Sequence, residues 1–321
     1  MNKKIKIPII IAASLVLIGC IMIGGAMTML QWNFRNLATV KYETYTYDIE
    51  DDFLNISINV DTSDIALILS EDSKAKVVCY ESESSRNSVS VVGDTLTIEQ
   101  RNTKKWYENI AIGFSSPKIT VYLPRNEYDS LFIKTQTGDI EAPNDFKLGS
   151  ADISVTTGDV GFSACVSGDV KISTSTGNIN ISDTAVGSLE LSASTGKVNV
   201  TNVVSEGDLS VKVTTGKTLL SKVECASLLS KGSTGDITLK SVIASVSLNI
   251  SRNTGDVTFE GCDAPDITVK TTTGDVTGSL LTEKLFSASS NTGKVSTPQP
   301  SGNEKCLVST DTGKIILTVT S

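Results

Sequence analysis

A Thr-Gly pair returns ten times at a near-constant spacing between residues 137 and 313, and that spacing governs what this chain can fold into. The pairs are Thr137-Gly138, Thr157-Gly158, Thr176-Gly177, Thr195-Gly196, Thr215-Gly216, Thr234-Gly235, Thr254-Gly255, Thr273-Gly274, Thr292-Gly293 and Thr312-Gly313. Successive glycines are 20, 19, 19, 20, 19, 20, 19, 19 and 20 residues apart, and the next residue is always Asp, Asn or Lys. A fixed period of this size is the signature of a repeat architecture.

The columns around the pair define the unit. Seven residues before the glycine stand Leu131, Ala151, Val170, Leu189, Leu209, Leu228, Leu248, Ile267, Phe286 and Cys306; two after it stand Ile140, Val160, Ile179, Val198, Thr218, Ile237, Val257, Val276, Val295 and Ile315. Apolar residues alternate on both sides, which is the strand period. Nine residues before the glycine a second, less strict bend is marked by Gly149, Gly168, Gly187 and Gly207, then Ala226, Val246 and Pro265. One such unit cannot bury its own apolar face, whereas stacked units can. The expectation is an all-β fold, a parallel β-solenoid (β-helix) of about ten 19–20-residue coils, about 48 Å long at about 4.8 Å per coil.

The flanks complete the organisation. Residues 7–30 carry no charge and include only one proline near their start, Pro8. A helix of that length spans about 36 Å, enough for a hydrocarbon core of about 30 Å. Lys3, Lys4 and Lys6 precede it, so the positive-inside bias puts the N-terminus in the cytoplasm and the rest outside. The expected divisions are a cytoplasmic N-terminus (1–6), a transmembrane anchor (7–30), a linker (31–44), a β-rich cap containing a degenerate first coil (45–130), and the solenoid repeats (131–321). Two other readings of the apolar run are a cleaved signal, for which no good A-x-A-like site is seen, and lipidation of Cys20 in LIGC. The ten mostly apolar residues after Cys20 argue against the second. In 54–69, LNISINVDTSDIALIL aligns with the repeat when Ser63 takes the glycine slot. Trp106 and Tyr107 are expected to pack in the cap, and LTVTS at the other end is expected to stop uncapped.

ITVYLPRNEYDSLFIKTQTGDI (119–140) resembles the entry to the repeats in the bacterial putative-adhesin family of β-strand-repeat, membrane-anchored proteins, and the likeness extends over roughly 45–321. The resemblance implies a β-repeat fold at the cell envelope, with some members tied to envelope-stress systems. It carries over no catalytic or binding residue.

Composition excludes several functions. There is no histidine, which removes His-based triads and His-ligated zinc. The net charge of −8 opposes nucleic acid as a partner. The corner aspartates, however, invite a chemical reading. Calcium needs several oxygens, usually from more than one carboxylate. Asp236, Asp256 and Asp275 fall in successive coils, but Lys197, Lys217, Lys294 and Lys314 take the same slot, so the column asks for a polar outward residue and no metal or cofactor is expected. The threonine hydroxyl is expected to bond neighbouring backbone as a ladder. A carbohydrate-active β-helix enzyme, a polysaccharide lyase or glycoside hydrolase, would need a walled groove, and no unit from 131 onward exceeds 20 residues. The irregular row Gln136, Thr156, Ser175, Ser194 beside the threonines argues against ice binding. Cys165, Cys225, Cys262 and Cys306 fall in coils that do not match for disulfides, so buried free thiols are expected. The function expected is a non-catalytic, adhesin-like or envelope-stress-associated scaffold, with a wall polymer or another envelope protein as partner; alternatives are the β-helix enzyme and a purely structural spacer.

Overall fold

A computed structural model describes residues 3–29, 31–33, 40–83, 85–102 and 116–320. Trp106 and Tyr107 lie outside the described residues. The first element is a helix, Lys3–Met29, and its stretch Ile9–Met29 has a mean hydropathy of 2.6, long and apolar enough to cross a membrane. It begins ahead of the apolar run, so Pro8 falls in its second turn and forfeits one backbone bond toward the Lys4 carbonyl.

Most of the other described residues form β structure wound as a solenoid, and the coil closed by Gly216 shows the plan. After the Gly196 corner, Val198 and Val200 point inward; Thr201 and Asn202 are both exposed; Val203 and Ser205 point inward again. Two exposed residues in succession reverse the strand parity, and Asn202 makes this possible with a φ of 55°. The chain bends once more at Gly207, and Leu209, Val211 and Val213 face the core before the next corner. Each coil is therefore three short straight runs. The left-handed position recurs as Asp183, Asn202, Lys222, Ser241 and Gly261. Asp and Asn tolerate this conformation through local hydrogen bonding, and only one member of the column is glycine.

Coils stack in parallel register, as in Leu189↔Leu209, Val211↔Ser230 and Leu228↔Leu248. The aliphatic columns form continuous ladders down the axis, nearly all fully buried. Close stacking explains the corner glycine. At Gly196 φ is 151°, and an added Cβ would sit 1.8 Å from the Gly177 carbonyl oxygen. Either constraint alone excludes other residues.

Both ends of the solenoid depart from chain order. At the N-terminal end, Asn55–Thr62 and Asp64–Leu69 lie against Glu127–Thr137 and Ile140–Ala142, with Ser63 under Gly138. The next coil outward is built from Thr95–Asn102 and Lys118–Leu123. Antiparallel strands then close this end: Ser85–Val92 on Thr95–Asn102, Ala75–Ser82 on Lys118–Leu123, and Tyr42–Ile49 on Ala75–Ser82.

At the C-terminal end the last two coils exchange places. Lys305–Thr312 and Ile315–Val319 pair with the Gly274 coil on one side and with Leu285–Ser290 and Val295–Ser296 on the other. The final strand of LTVTS is therefore inside the stack, and the open edge belongs to the Gly293 coil. This corrects the expectation of an uncapped C-terminal strand. A lysine holds the exchange: Lys284, fully buried, contacts Asp263 at 2.6 Å and also Glu304, and Thr282 donates to the same two carboxylates, so three stretches of chain are joined through side chains.

Candidate functional site

The Thr-Gly corners form one column along the rod, and the residue after the glycine does specific work in it. The Asp139 carboxylate accepts the Asp159 N–H at 2.8 Å; Asp159 accepts from Asn178 at 2.7 Å; Asn178 accepts from Lys197 at 3.0 Å. The series resumes with Asp236 accepting from Asp256, Asp256 from Asp275 and Asp275 from Lys314. Each side-chain oxygen caps the backbone N–H of the next corner. The slot is thus more than polar and outward: a carboxylate or amide caps, and a lysine ends the series.

This also answers how three successive aspartates coexist. Lys217 reaches Asp236 and Lys314 reaches Asp275, each at 3.1 Å, so the acidic stretch is flanked by a cation at both ends. The Asp256 N–H, followed by Lys217, holds Asp236 below the usual carboxylate range; the Lys314 N–H does the same for Asp275. Among the described residues, no three His, Cys, Asp or Glu side chains gather closely enough to hold a metal ion.

The hydroxyls that brace the corner come from a different column than expected. Of the ten corner threonines, only Thr292 makes a side-chain hydrogen bond among the described residues, to the Asp311 carbonyl at 3.4 Å. Two positions earlier, inward-facing Thr174, Thr271 and Thr310 donate to the glycine carbonyl of the preceding coil, at 3.2, 3.4 and 3.0 Å. Ser290 donates likewise to the Gly313 carbonyl.

Arg252 occupies that same inward column and is 3% exposed. Its Nη2 donates to Ser230 at 2.9 Å and Thr218 at 3.2 Å, while Nε and Nη1 have no partner among the described residues. Gly232 makes the room, since a Cβ there would lie 2.2 Å from Nη1. Thr218, Ser230, Gly232 and Arg252 each break their own column, and their coincidence in space was not inferred from the repeat. The signal was present in the sequence as one arginine at an inward-facing position.

A shallow trough of about 490 Å³ follows the second bend. Gly149 and Gly187 line its floor, where an added Cβ would press on the preceding coil's backbone at 2.5 and 2.7 Å. Its walls include Tyr128, Cys165, Ala185, Val204 and the Lys147–Glu127 ion pair. No side chains in it form a nucleophile–base pair among the described residues. Such a surface can seat an extended segment.

The cysteines are free: Cys79, Cys225, Cys262 and Cys306 are buried, and Cys20 and Cys165 are exposed. Cys165 departs from the expected buried filler because it stands on the outer wall of the second bend. Burial pushes the Cys79 and Cys306 thiols up to about 12 and Cys225 to about 11, so these act as apolar packing.

A comparison with curated proteins finds no match. Solved structures do match in fold. A protein named putative adhesin from Parabacteroides merdae aligns at 16% identity and a TM-score of 0.50, covering 76% of this chain and 98% of its own. One of the same name from Parabacteroides distasonis aligns at 12% identity and a TM-score of 0.50, over 85% and 98%. A third from Bacteroides fragilis aligns at 16% and 0.43, over 87% and 97%. The sequence itself matches the family described as Toastrack DUF4097 over residues 53–315, a span that runs from the N-terminal end of the solenoid past the Gly313 corner; the chain belongs to that family.

Proposed function

We propose that this chain is a non-catalytic binding scaffold, held in a membrane by its N-terminal helix and presenting a rigid rod on the outer side. The observation that carries the reading is the uninterrupted coil-to-coil pairing: coils of 19–20 residues leave no loops long enough to wall a reaction cleft. What the rod presents instead are outward rows of repeated polar groups. Asn199 bonds Asn180 at 2.8 Å, Asn202 bonds Asp183 at 2.8 Å, and Ser173 bonds Ser154 at 3.3 Å. Rows at a fixed spacing of about 4.8 Å suit a partner that is itself extended, a wall polymer or another envelope protein.

The helix and the lysines before it support an anchor with a cytoplasmic N-terminus. The test is retention of wall polymer or envelope proteins from membrane fractions by immobilised residues 41–321, with and without calcium. Saturable retention supports the scaffold. Its absence in both conditions favours a spacer, and retention only with calcium would put a cation into the recognition.

A further inference from the structure

The outermost C-terminal coil is left open in a way the other end is not. Leu285–Ser290 pairs with Lys305–Thr312 on one side only, among the described residues. Leu285 N–H donates inward to the Glu304 carbonyl. A parallel ladder bonds alternate residues, so the N–H and C=O groups of Phe286, Ala288 and Ser290 face away from the rod. The core ladder is open here too: Val295 is 40% exposed, whereas Val276 and Ile315 in the same column are fully buried.

Exposed edges are normally blunted by charge, proline or bulges. The N-terminal edge strands carry Glu43, Asp48 and Arg86. LFSASS carries no charge and no proline. Its flanks, however, are charged and opposite: exposed Glu283 precedes it and exposed Lys294 follows. An antiparallel copy of the same strand, related by a two-fold axis at Ala288, brings the acidic flank of each to the basic flank of the other. It sets Phe286 against Ser290 and Ser287 against Ser289, and closes about six backbone hydrogen bonds.

We propose that the open C-terminal end of the rod pairs with the same end of a second copy of this chain anchored in a facing membrane. The inference rests on the membrane-anchored reading above. A two-fold axis at the tip makes the rods run end to end, and the strand that follows the helix, Tyr42–Ile49, lies at the far end of each. One strand pair buries much less than the about 800 Å² per partner of a stable complex. Single contacts are therefore weak, and many anchored copies acting together supply the avidity.

The test uses the full-length chain in phosphatidylcholine vesicles, with flotation to read insertion and light scattering to read clustering. Wild-type vesicles cluster. The double variant Ser287→Lys/Ser289→Lys, at two solvent-facing positions that leave circular dichroism unchanged, reduces clustering at least tenfold. Mixing those vesicles with vesicles bearing Ser287→Glu/Ser289→Glu restores it. Inserted wild-type chain that does not cluster, a lysine variant that clusters normally, or a charge mixture that stays dispersed each overturns tip pairing alone. A chain that fails to float overturns the anchor and tip pairing together.

Discussion

Replacing the buried polar group around Arg252 tests how the core accommodates a charge without a counter-ion. Burial draws the guanidinium down from its ordinary range to about 10. At about 1.36 kcal/mol per unit, keeping it charged costs the folded state about 3 kcal/mol. Two hydrogen bonds to hydroxyls offset part of this, while Nε and Nη1 gain none. Arg252→Met alone relieves the charge but strands the Ser230 and Thr218 hydroxyls, each worth about 1–3 kcal/mol when left unpaired, so it should be neutral or destabilising. Adding Thr218→Val and Ser230→Val returns each position to its apolar column. The triple variant should then gain about 1–4 kcal/mol, as buried ionic groups do when replaced by packed apolar ones. Below pH about 10 both folded and unfolded states hold the proton, so the penalty is fully present. It is relieved only as pH rises above about 10, where the folded state gives up the proton first. The gain should therefore be constant from pH 5 to 9. Urea titration of residues 41–321 and the variant reads it directly. A triple variant less stable than wild type by more than about 1 kcal/mol would refute the reasoning, because the charge would then be compensated by something the two hydroxyls do not supply.

The remaining predictions concern the corners and the exchanged end. Gly196→Ala should cost about 2–4 kcal/mol, since both its φ and its approach to Gly177 resist a Cβ; Lys197→Asp, which adds a cap for the next corner, should gain up to about 1 kcal/mol, both read from urea midpoints. Lys284→Met should destabilise by about 1.5–3 kcal/mol by removing the buried ammonium that draws Asp263 and Glu304 together, and amide exchange should quicken in 285–319 before the central coils. Asp236 and Asp275 titrate below 3.8 when folded, so their contribution is present above that pH and is lost as pH falls through the folded values. Asp236→Asn with Asp275→Asn keeps both caps and should flatten the acid limb of a stability profile between pH 2 and 6.

The solenoid was legible because its period is carried by residues that cannot be exchanged. Only glycine fits a corner with φ near 150° and a neighbouring carbonyl under 3 Å from its absent Cβ, so the count of corners counts coils. Ser63, neither a glycine nor at a positive φ, could be aligned under Gly138 only through the columns around it, Ile56, Ile58, Ile65 and Leu67. The third bend was hidden because its left-handed residues vary, from Asp183 and Asn202 to Lys222 and Ser241, and only their paired exposure marks it. The exchange of the last two coils was illegible in principle. Cys306 and Phe286, or Ile315 and Val295, suit the same columns equally, and spacing cannot say which coil lies next to Gly274. Burial decides: Ile315 and Cys306 are fully covered, and their counterparts are not. The aspartate caps were half visible, as a preference for Asp and Asn, while their acceptors in the next coil became evident only from the stacking.

The exchanged end sets the order of synthesis against the order of stacking. On a ribosome, the Gly293 coil emerges before the strand it must rest on, and it is separated from the Gly274 coil by a vacant layer until residues 305–319 arrive. A chain cut before residue 305 would lose the cohesion of two coils instead of one. The protection of the Gly293 coil against proteolysis is therefore set by residues that follow it in the chain, and should appear only once 305–319 have docked.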